Sequence, residues 1–370
     1  MKLVKADKSY NKELIQFYQE TVLPGLVGLS FHRKDNFFNQ YKLLSSDYVT
    51  YLLIDEKGEV HTTATIIFQK CILDGQEETI GYATDLRVSR SRRAIREWAT
   101  HFLPILIKER DERNCKYIFS SIGDKRNQAQ NALIRPRSIK RNLPRYHLFR
   151  KYRLINVHGK YPFSAKPLNT LEVRYATNYD LKKIEAYIRK KQQNRLIVFP
   201  HFGKDLMTAI KNWNGLKIEN FLMAIDDNSE IVGLVALWNK SKIQDVYPMT
   251  TSKRVKSFQG TLRFLSWLGL AKKLFYKNKP FNITLMSHLY VDNPDIFYTL
   301  LHKAYKTSAK KSFLSYVHFE GDLNTIPPRS FITSKLSYGL YCILAKEDPI
   351  PDFLKPRTLK EPPDFDPSFI

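Results

Sequence analysis

The sequence predicts an α+β chain of two tandem domains, each a mixed, mostly antiparallel sheet flanked by helices. Its 370 residues are many for one hydrophobic core and suffice for two domains of ordinary size. Short strands and amphipathic helices alternate through the first half, and a similar order begins again after the proline-bearing segment Lys160–Asn169. Apolar residues form 43% of the chain, which is enough to build two cores.

The elements of the first half follow from the spacing of apolar residues. Alternating β-branched and aromatic residues predict strands, while apolar residues three and four apart, such as Leu14, Phe17 and Tyr18, predict helices. Turns are expected at Gly58 and at Asp74-Gly75. In order, these patterns predict strand 2–6, a helix around 14–18, a helical stretch at 37–44, strands 48–55, 60–68 and 79–88, helix 94–110, strand 116–121, a helix near 127–133 and strand 148–157.

The second half repeats this order without repeating the sequence. Its predicted elements are strand 171–175, helix 179–189, strands 221–225, 231–238 and 283–291, helix 294–306 and strands 313–319 and 338–345. Six of the eighteen prolines fall in residues 349–370, which predicts an extended tail. We therefore expect an N-terminal domain at 1–159, a linker at 160–170, a C-terminal domain at 171–346 and a proline-rich tail at 347–370.

Several functional classes are disfavoured by residue usage. The three cysteines, Cys71, Cys115 and Cys342, are far apart and form no CxxC, which argues against a disulfide framework or a zinc site. The histidines show no metal-ligand spacing, and no nucleophile-elbow or P-loop motif occurs. The spacing of histidines and cysteines therefore leads us to expect no metal site. The chain has no apolar start and no apolar stretch long enough to span a bilayer, so we expect no transmembrane segment and a cytoplasmic location.

The charge of the chain predicts an anionic partner or cofactor. Sixty Lys and Arg residues against 36 Asp and Glu residues give a net charge of +24. Residues 135–153 contain eight basic residues and no acidic one, and so do residues 253–279. Nucleic acid, an anionic membrane surface and a CoA-like cofactor all fit this charge, and solvated surface accounts for part of it.

Three local motifs resemble those of the GNAT superfamily of N-acetyltransferases, in its tandem two-domain bacterial type. The stretch Asp85–Val88 is similar to the family's fourth strand, after which the cofactor loop and a helix follow. The stretch Ile118–Ser121, with Asn127 and Ala129, resembles the fifth strand and the helix after it. The stretch Leu143–Tyr146, with Phe149 and Arg150, resembles the tandem group, whose second half carries an aromatic-basic segment like Lys256–Gln259. The resemblance implies two GNAT-like domains and an acyl-CoA cofactor, acetyl-CoA or another.

The resemblance also assigns cofactor contacts in the first half. The family's diphosphate loop contains glycines that admit the phosphates to the main chain. Here the loop contains arginines and no glycine. Their guanidinium groups could replace the missing main-chain contacts to the phosphates by charge-assisted hydrogen bonds. The alternative is that these arginines only form a solvated helix start and bind no cofactor. Leu86 and Val88 would act through their main chain, and Ser120 and Asn127 would contact the pantetheine arm unless they only cap loops. The predicted cofactor-binding residues are Leu86, Val88, Arg90, Arg92, Arg93, Ala94, Ser120 and Asn127.

Two residues are candidates for the chemistry of acyl transfer. Asp85 lies on the strand face opposite Leu86 and Val88 and is the candidate general base for the amine. An ion pair with Arg87 or another basic neighbour is the alternative role for its carboxylate. Tyr82 is the candidate proton donor to the leaving thiolate, with an ordinary core position as its alternative.

The matching position in the second half predicts no cofactor site. Residues Tyr290–Asp295 contain two carboxylates and no basic residue, so they would repel a diphosphate. Asp292 or Asn293 as the N-cap of a helix beginning at Pro294 explains the sequence.

We therefore predict a CoA-dependent N-acyltransferase that transfers an acetyl group to an amine of a small molecule or peptide. One alternative is an aminoacyl-tRNA-dependent aminoacyltransferase, a class that also uses tandem GNAT-like domains. Another is a non-enzymatic basic protein that binds RNA or a membrane surface. The apolar segment Thr261–Tyr276, flanked by lysines, predicts either a buried helix with a basic cap or a helix on an anionic membrane.

Overall fold

A computed structural model describes the chain except residues 26, 125–132, 135–142, 165, 273–278, 310, 356–360 and 370. Asn127 and most of the helix predicted near residues 127–133 lie outside the described residues. The strands are β1 (Lys2–Ala6), β2 (Val27–Arg33), β3 (Tyr48–Ile54), β4 (Val60–Leu73), β5 (Gln76–Val88), β6 (Cys115–Gly123), β7 (Arg145–Lys160), β8 (Glu172–Tyr175), β9 (Ile197–Val198), β10 (Phe221–Ile225), β11 (Ile231–Trp238), β12 (Gln244–Thr251), β13 (Ile283–Val291), β14 (Phe313–Phe319) and β15 (Phe331–Leu344). The α-helices are α1 (Asn11–Glu20), α2 (Arg92–Glu112), α3 (Leu181–Gln192), α4 (His201–Lys204), α5 (Leu206–Ala209), α6 (Lys253–Trp267) and α7 (Pro294–Thr307).

The chain forms two compact units whose bounds differ from the predicted domains. Unit 1 contains residues 1–151 and 337–358, and unit 2 contains residues 152–336 and 359–370. One boundary between the units lies inside β7 and another lies inside β15. Each of these long strands therefore contributes residues to both units. Local patterning predicts such strands but does not reveal which unit their two ends belong to.

Unit 1 combines an antiparallel sheet with one parallel pair. Strands β1, β3, β4 and β5 are antiparallel neighbours, β6 is parallel to β5, and the C-terminal half of β15 pairs antiparallel with β6. The loop between β4 and β5 is the predicted Asp74-Gly75 turn, with φ of 51° and 84°. A two-residue hairpin loop with both φ values positive matches the twist of its strands, which is why Asp-Gly is favoured there.

Unit 2 repeats the same arrangement. Strands β8, β10, β11 and β13 are antiparallel neighbours, β14 is parallel to β13, and the C-terminal half of β7 pairs antiparallel with β14. Helix α7 packs its apolar face, which includes Phe297 and Leu300, into the core beside Tyr316. Gly233 of β11 lies so close to α7 that an added Cβ would approach Ile296 to 2.6 Å, so a side chain there would push the helix away.

The proline-rich segment is packed rather than free. Residues 347–355 belong to unit 1, where the Phe353 ring contacts Tyr117 and Phe149 at centroid distances of 5.0 and 6.0 Å. Residues 361–368 belong to unit 2, where Asp364 and Asp366 are buried. Its many prolines disfavour regular helix, as the sequence predicts, but they leave the segment able to pack as an extended strap.

Candidate functional site

In unit 1 the parallel strands β5 and β6 diverge before either of them ends. Their paired register stops at Tyr82 and Phe119, although β5 continues to Val88 and β6 to Gly123. Among the described residues, no strand pairs with the β6-facing edge of β5 beyond Tyr82. Backbone N–H and C=O groups on that edge can therefore pair with an extended ligand.

A β-bulge lies in β5 at this divergence. Asp85 and Leu86 together oppose a single residue of β4, Ala64. Asp85 has a φ of 57°, in the left-handed region that a non-glycine residue adopts when surrounding contacts hold it there. Bulges of this kind redirect a side chain, and here the redirected side chain is that of Asp85.

The Asp85 carboxylate is the counter-ion of a buried arginine. Both the Tyr18 hydroxyl and the Arg33 guanidinium donate hydrogen bonds to it, and the Arg33 side chain is only 2% exposed. Burial opposes the carboxylate charge, but the nearby cations Arg33 and Arg87 outweigh it, so the pKa of Asp85 is lowered. An ion-paired carboxylate of lowered pKa is a weak base at neutral pH. The structure thus favours the ion-pair role over the predicted general base, with Arg33 as the bonded partner.

Aromatic rings enclose both arginines of this cluster. The Arg33 guanidinium carbon lies 4.1 Å from the centre of the Phe37 ring and 4.8 Å from that of Tyr41. The Arg87 guanidinium carbon lies 3.4 Å from the centre of the Tyr18 ring, a cation–π distance. The sequence does not predict this cluster, because its members come from separate elements that converge only in the folded unit.

The other predicted residues of β5 and β6 lie at the divergence. Tyr82 is the last residue of β5 paired with β6, and burial raises the pKa of its hydroxyl, so the group is protonated at neutral pH. The side chains of Leu86 and Val88 pack, partly buried, against the core. Ser120 is half-buried and follows the last residue of β6 that pairs with β5.

The start of α2 is basic and exposed. The Ser91 hydroxyl caps the helix by accepting a hydrogen bond from the Ala94 N–H at 3.3 Å. No acidic residue lies in the first turn, where the helix dipole places partial positive charge. Arg93 also pairs with Glu97 one turn later, at 2.8 Å. Four exposed arginines surround this helix start: Arg90, Arg92, Arg93 and Arg96.

Unit 2 repeats the divergence and the bulge. The paired register of β13 and β14 stops at Leu285 and Ser315, although β13 continues to Val291. His288 and Leu289 together oppose one residue of β11, and the φ of His288 is 49°. His288 and Asp85 each lie three residues beyond the last residue of their strand that pairs with the parallel neighbour.

The C-terminal segment, residues 361–368, closes the divergence in unit 2. The Asp364 carboxylate accepts hydrogen bonds from Arg195 and Gln192, both at 2.6 Å, and from the Tyr290 hydroxyl at 3.0 Å. The Phe365 ring lies 6.1 Å from that of Phe319 on β14. A cavity of about 90 Å³ remains between the segment and the two strands, room for a few water molecules.

The bulge in unit 2 is capped by the same segment. The Asp366 carboxylate accepts a hydrogen bond from the His288 N–H at 2.9 Å, and burial raises the pKa of Asp366 to about 6. Burial, with a smaller contribution from His201, lowers the pKa of His288 to about 3, so its ring is neutral at physiological pH. The His288 ring nitrogens have no hydrogen-bond partner among the described residues.

The start of α7 differs from that of α2. Of the two N-caps predicted from the sequence, the structure uses Asn293, whose side-chain oxygen accepts hydrogen bonds from the Asp295 and Ile296 N–H groups at 3.0 Å. Asp292 accepts a hydrogen bond from the Tyr187 hydroxyl at 2.8 Å. Side chains of the chain itself therefore satisfy the first-turn donors.

One group of potential metal ligands lies within the described ranges. Asp55, Glu59 and His61 could each direct a ligand atom to a common point. Asp55 already accepts the backbone N–H groups of Lys57 and Glu59 at 2.9 Å, which closes the turn between β3 and β4. These turn hydrogen bonds account for the cluster. In the part of the chain that the structure describes, no helix combines the length and apolar character needed to cross a membrane.

The sequence matches no family model and no curated protein. Solved structures do resemble the chain in fold. A conserved protein from Enterococcus faecalis V583, described as a probable N-acyltransferase, gives a TM-score of 0.50 at 10% identity, covering 93% of this chain and 73% of its own. The N-myristoyltransferase of Saccharomyces cerevisiae with bound myristoyl-CoA and inhibitors gives a TM-score of 0.55 at 9% identity, covering 93% and 80%. A second structure of the yeast enzyme with myristoyl-CoA gives 0.52 at 11% identity, covering 92% and 82%. The α+β fold predicted from the sequence, a mixed and mostly antiparallel sheet flanked by helices, is confirmed.

Proposed function

We propose that the chain is an acyl-CoA-dependent N-acyltransferase whose acyl donor binds along the open edge of β5 in unit 1. The observation that carries this proposal is the position of that edge, directly before a helix start surrounded by arginines. A pantetheine arm contains amides and can pair with an open strand edge, here through the main chain of Leu86 and Val88, with Ser120 and Asn127 as further contacts. The diphosphate would then reach the helix start at Ala94, where Arg90, Arg92 and Arg93 supply charge-assisted bonds in place of the missing glycines.

The chemistry proposed at this edge is the aminolysis of a thioester. The amine nitrogen attacks the thioester carbonyl, the C–N bond forms and the C–S bond breaks. The leaving thiolate takes a proton from a donor group, and that group recovers the proton that the amine nitrogen loses as it becomes an amide. We assign the role of this donor to Tyr82, and its raised pKa supports the assignment because it keeps the hydroxyl protonated at neutral pH. Asp85 acts as a positioning residue, since its carboxylate is committed to Arg33 and Tyr18.

The donor and the acceptor of the reaction are the finer parts of the proposal. An acetyl group is the acyl group expected from the sequence, and an amine of a small molecule or peptide is the acceptor. A series of acyl-CoA donors of increasing chain length, assayed by release of free CoA thiol with a panel of amines, tests both.

The decisive variant removes charge at the start of α2. Replacing Arg90, Arg92 and Arg93 together by Gln is expected to raise the Kd for acyl-CoA by about 100-fold or more, since charge-assisted hydrogen bonds contribute about 1.5–3 kcal/mol each. Calorimetry with the full chain measures this Kd. The matched control removes the same charge from exposed lysines of α3 in unit 2, Lys182, Lys183 and Lys190, and should leave the Kd unchanged.

Three outcomes separate the candidate functions. Thiol release that the arginine variant abolishes and the lysine control retains supports the proposal. Absence of acyl-CoA binding to the unchanged chain at high micromolar concentration overturns it. Transfer from aminoacyl-tRNA without any transfer from acyl-CoA would favour the aminoacyltransferase alternative.

A further inference from the structure

Helix α6 of unit 2 exposes an apolar cluster to solvent. Phe264, Trp267 and Leu268 are 59%, 81% and 47% exposed. Their spacing of three and four residues places them on one face of the helix end, and the Phe264 and Trp267 ring centroids lie 6.2 Å apart. Exposing such an apolar cluster is unfavourable in water, so it marks an interaction surface.

The opposite face of α6 attaches the helix to unit 2. Leu262 is its one fully buried residue, and it packs with Phe258 and Leu265 against Phe313 and Ile332. Within the described residues, the helix is therefore buried on one face and exposed on the other. The three exposed apolar side chains contribute little to this packing, so the fold alone gives no reason for them.

Basic residues share the exposed face with the apolar cluster. Lys253, Lys256 and Arg263 are exposed, and helical periodicity places them on the side of α6 that carries Phe264 and Trp267. No acidic residue occurs between Asp245 and Asp292 in the sequence. A face with cations along one half and aromatic and aliphatic side chains at the other matches an anionic lipid surface, where headgroups pair with the cations and rings enter the interface.

We propose that α6 is an interfacial anchor that docks the protein onto anionic membranes, with Phe264, Trp267 and Leu268 inserted between headgroups. Lipid is favoured over RNA because Leu268 has no ring to stack on a base, and because insertion requires an apolar cluster that phosphate binding does not. The proposal is independent of acyltransferase activity.

Trp267 provides a direct reporter of insertion. The other three tryptophans, Trp98, Trp213 and Trp238, are at most 5% exposed. Phosphatidylcholine vesicles containing phosphatidylglycerol should therefore shift the tryptophan emission of the full chain to shorter wavelength, and brominated lipid chains should quench it. The variant Trp267→Phe should still bind and should show neither change.

Two variants and one control separate the contributions to docking. Replacing the three apolar residues by Ser should lower vesicle binding in a flotation assay by about 10-fold or more, and neutralising the three basic residues should abolish the preference for anionic lipid. The residues involved are Phe264, Trp267 and Leu268 for the first variant, Lys253, Lys256 and Arg263 for the second, and Lys182, Lys183 and Lys190 for the control, which should bind as the unchanged chain does. Unchanged circular dichroism and Tm would show that each variant folds.

Particular results would overturn the proposal. Binding to anionic vesicles without quenching of Trp267, or equal binding by the apolar variant, would exclude insertion. Retardation of RNA that the basic variant loses, combined with no flotation of the unchanged chain, would assign the surface to RNA instead.

Discussion

The two units build the same divergent strand pair and fill it differently. In each, a parallel pair opens next to a bulge at a residue of positive φ, Asp85 in unit 1 and His288 in unit 2. In unit 1 the bulge residue forms an ion pair with Arg33. In unit 2 the bulge residue is uncharged, and its N–H is bonded by Asp366 of the C-terminal segment. The fold thus supplies the opening, while side chains and termini determine what occupies it.

The helices that follow the two openings, α2 and α7, begin with side chains of opposite charge. Helix α2 begins among exposed arginines, whereas α7 begins with Asn293 as its cap and Asp292 beside it. An anionic ligand would be attracted to the first helix start and repelled by the second. This contrast is why we place the proposed donor site in unit 1.

The largest effect is expected from removing the C-terminal segment. A chain that ends after residue 360 loses Asp364, which leaves the charge of Arg195 buried without its bonded partner, and it also loses the packing of Phe365. Together these losses should destabilise unit 2 by more than about 5 kcal/mol. Hydrogen exchange read by mass spectrometry should show loss of protection in β13 and β14, with β4 and β5 unchanged.

Adding the missing segment back provides the control. A peptide of residues 361–370 should restore protection in β13 and β14, and the same peptide with Asp364→Asn should fail at equal concentration. Equal loss of protection in both units would show that the segment stabilises the whole chain, and that the contrast between the openings is not local.

Single substitutions at the carboxylate partners of two buried arginines should have similar costs in separate units. Asp85→Ala leaves Arg33 without its counter-ion, and Asp364→Ala does the same to Arg195. Each should lower the free energy of unfolding by about 3–5 kcal/mol, the usual cost of breaking a buried ion pair from one side. Urea denaturation measures the change, and the exposed Asp227→Ala should stay within about 0.5 kcal/mol of the unchanged chain. If Asp85→Ala leaves the free energy of unfolding unchanged, the carboxylate is not held by Arg33, and the predicted general-base role of Asp85 is favoured again.

Much of this comparison follows from local sequence patterns. The strands predicted at 283–291 and 313–319 match β13 and β14, and Asn293, one of the two predicted caps, is the observed cap of α7. The arginine-rich start of α2 also lies where the sequence places it. These features depend on periodicity, capping and charge within a few residues, which one sequence records directly.

The partners that complete each opening do not follow from such patterns. Asp85 and Arg33 are 52 residues apart, and Asp364 and Arg195 are 169 apart. Periodicity indicates that a face is buried but does not identify what covers it. The C-terminal segment illustrates the difference, because its prolines predict an extended tail but do not predict the cleft of unit 2 against which residues 361–368 pack.

The smallest expected effect is a difference in acid sensitivity. In unit 2, burial lowers the pKa of His158 and His302 to about 4 and that of His288 to about 3, from an ordinary 6.5. Below pH 6.5 the unfolded chain therefore binds protons that folded unit 2 does not, so stability falls as the pH drops from 6.5 towards 4. Asp366 acts in the opposite direction. Its pKa in the folded chain is raised to about 6, so the folded state binds a proton at a higher pH than the unfolded state does, which stabilises the folded state as the pH drops.

Three strongly shifted histidines against one carboxyl leave a net loss, which we expect to reach about 3 kcal/mol between about pH 7 and pH 5.5. Burial also lowers the pKa values of His201 and His318, which act in the same direction. Hydrogen exchange at the two pH values, corrected for intrinsic rates, should show the loss in β13 and β14. Because His158 contributes one of the three protons, His158→Gln should reduce the slope of unfolding free energy against pH even if it lowers the stability at pH 7. In unit 1 burial lowers the pKa of His147 as well, so some acid sensitivity is expected there. A slope in β4 and β5 equal to that in β13 and β14 would mean that the buried histidines do not set the acid response of unit 2.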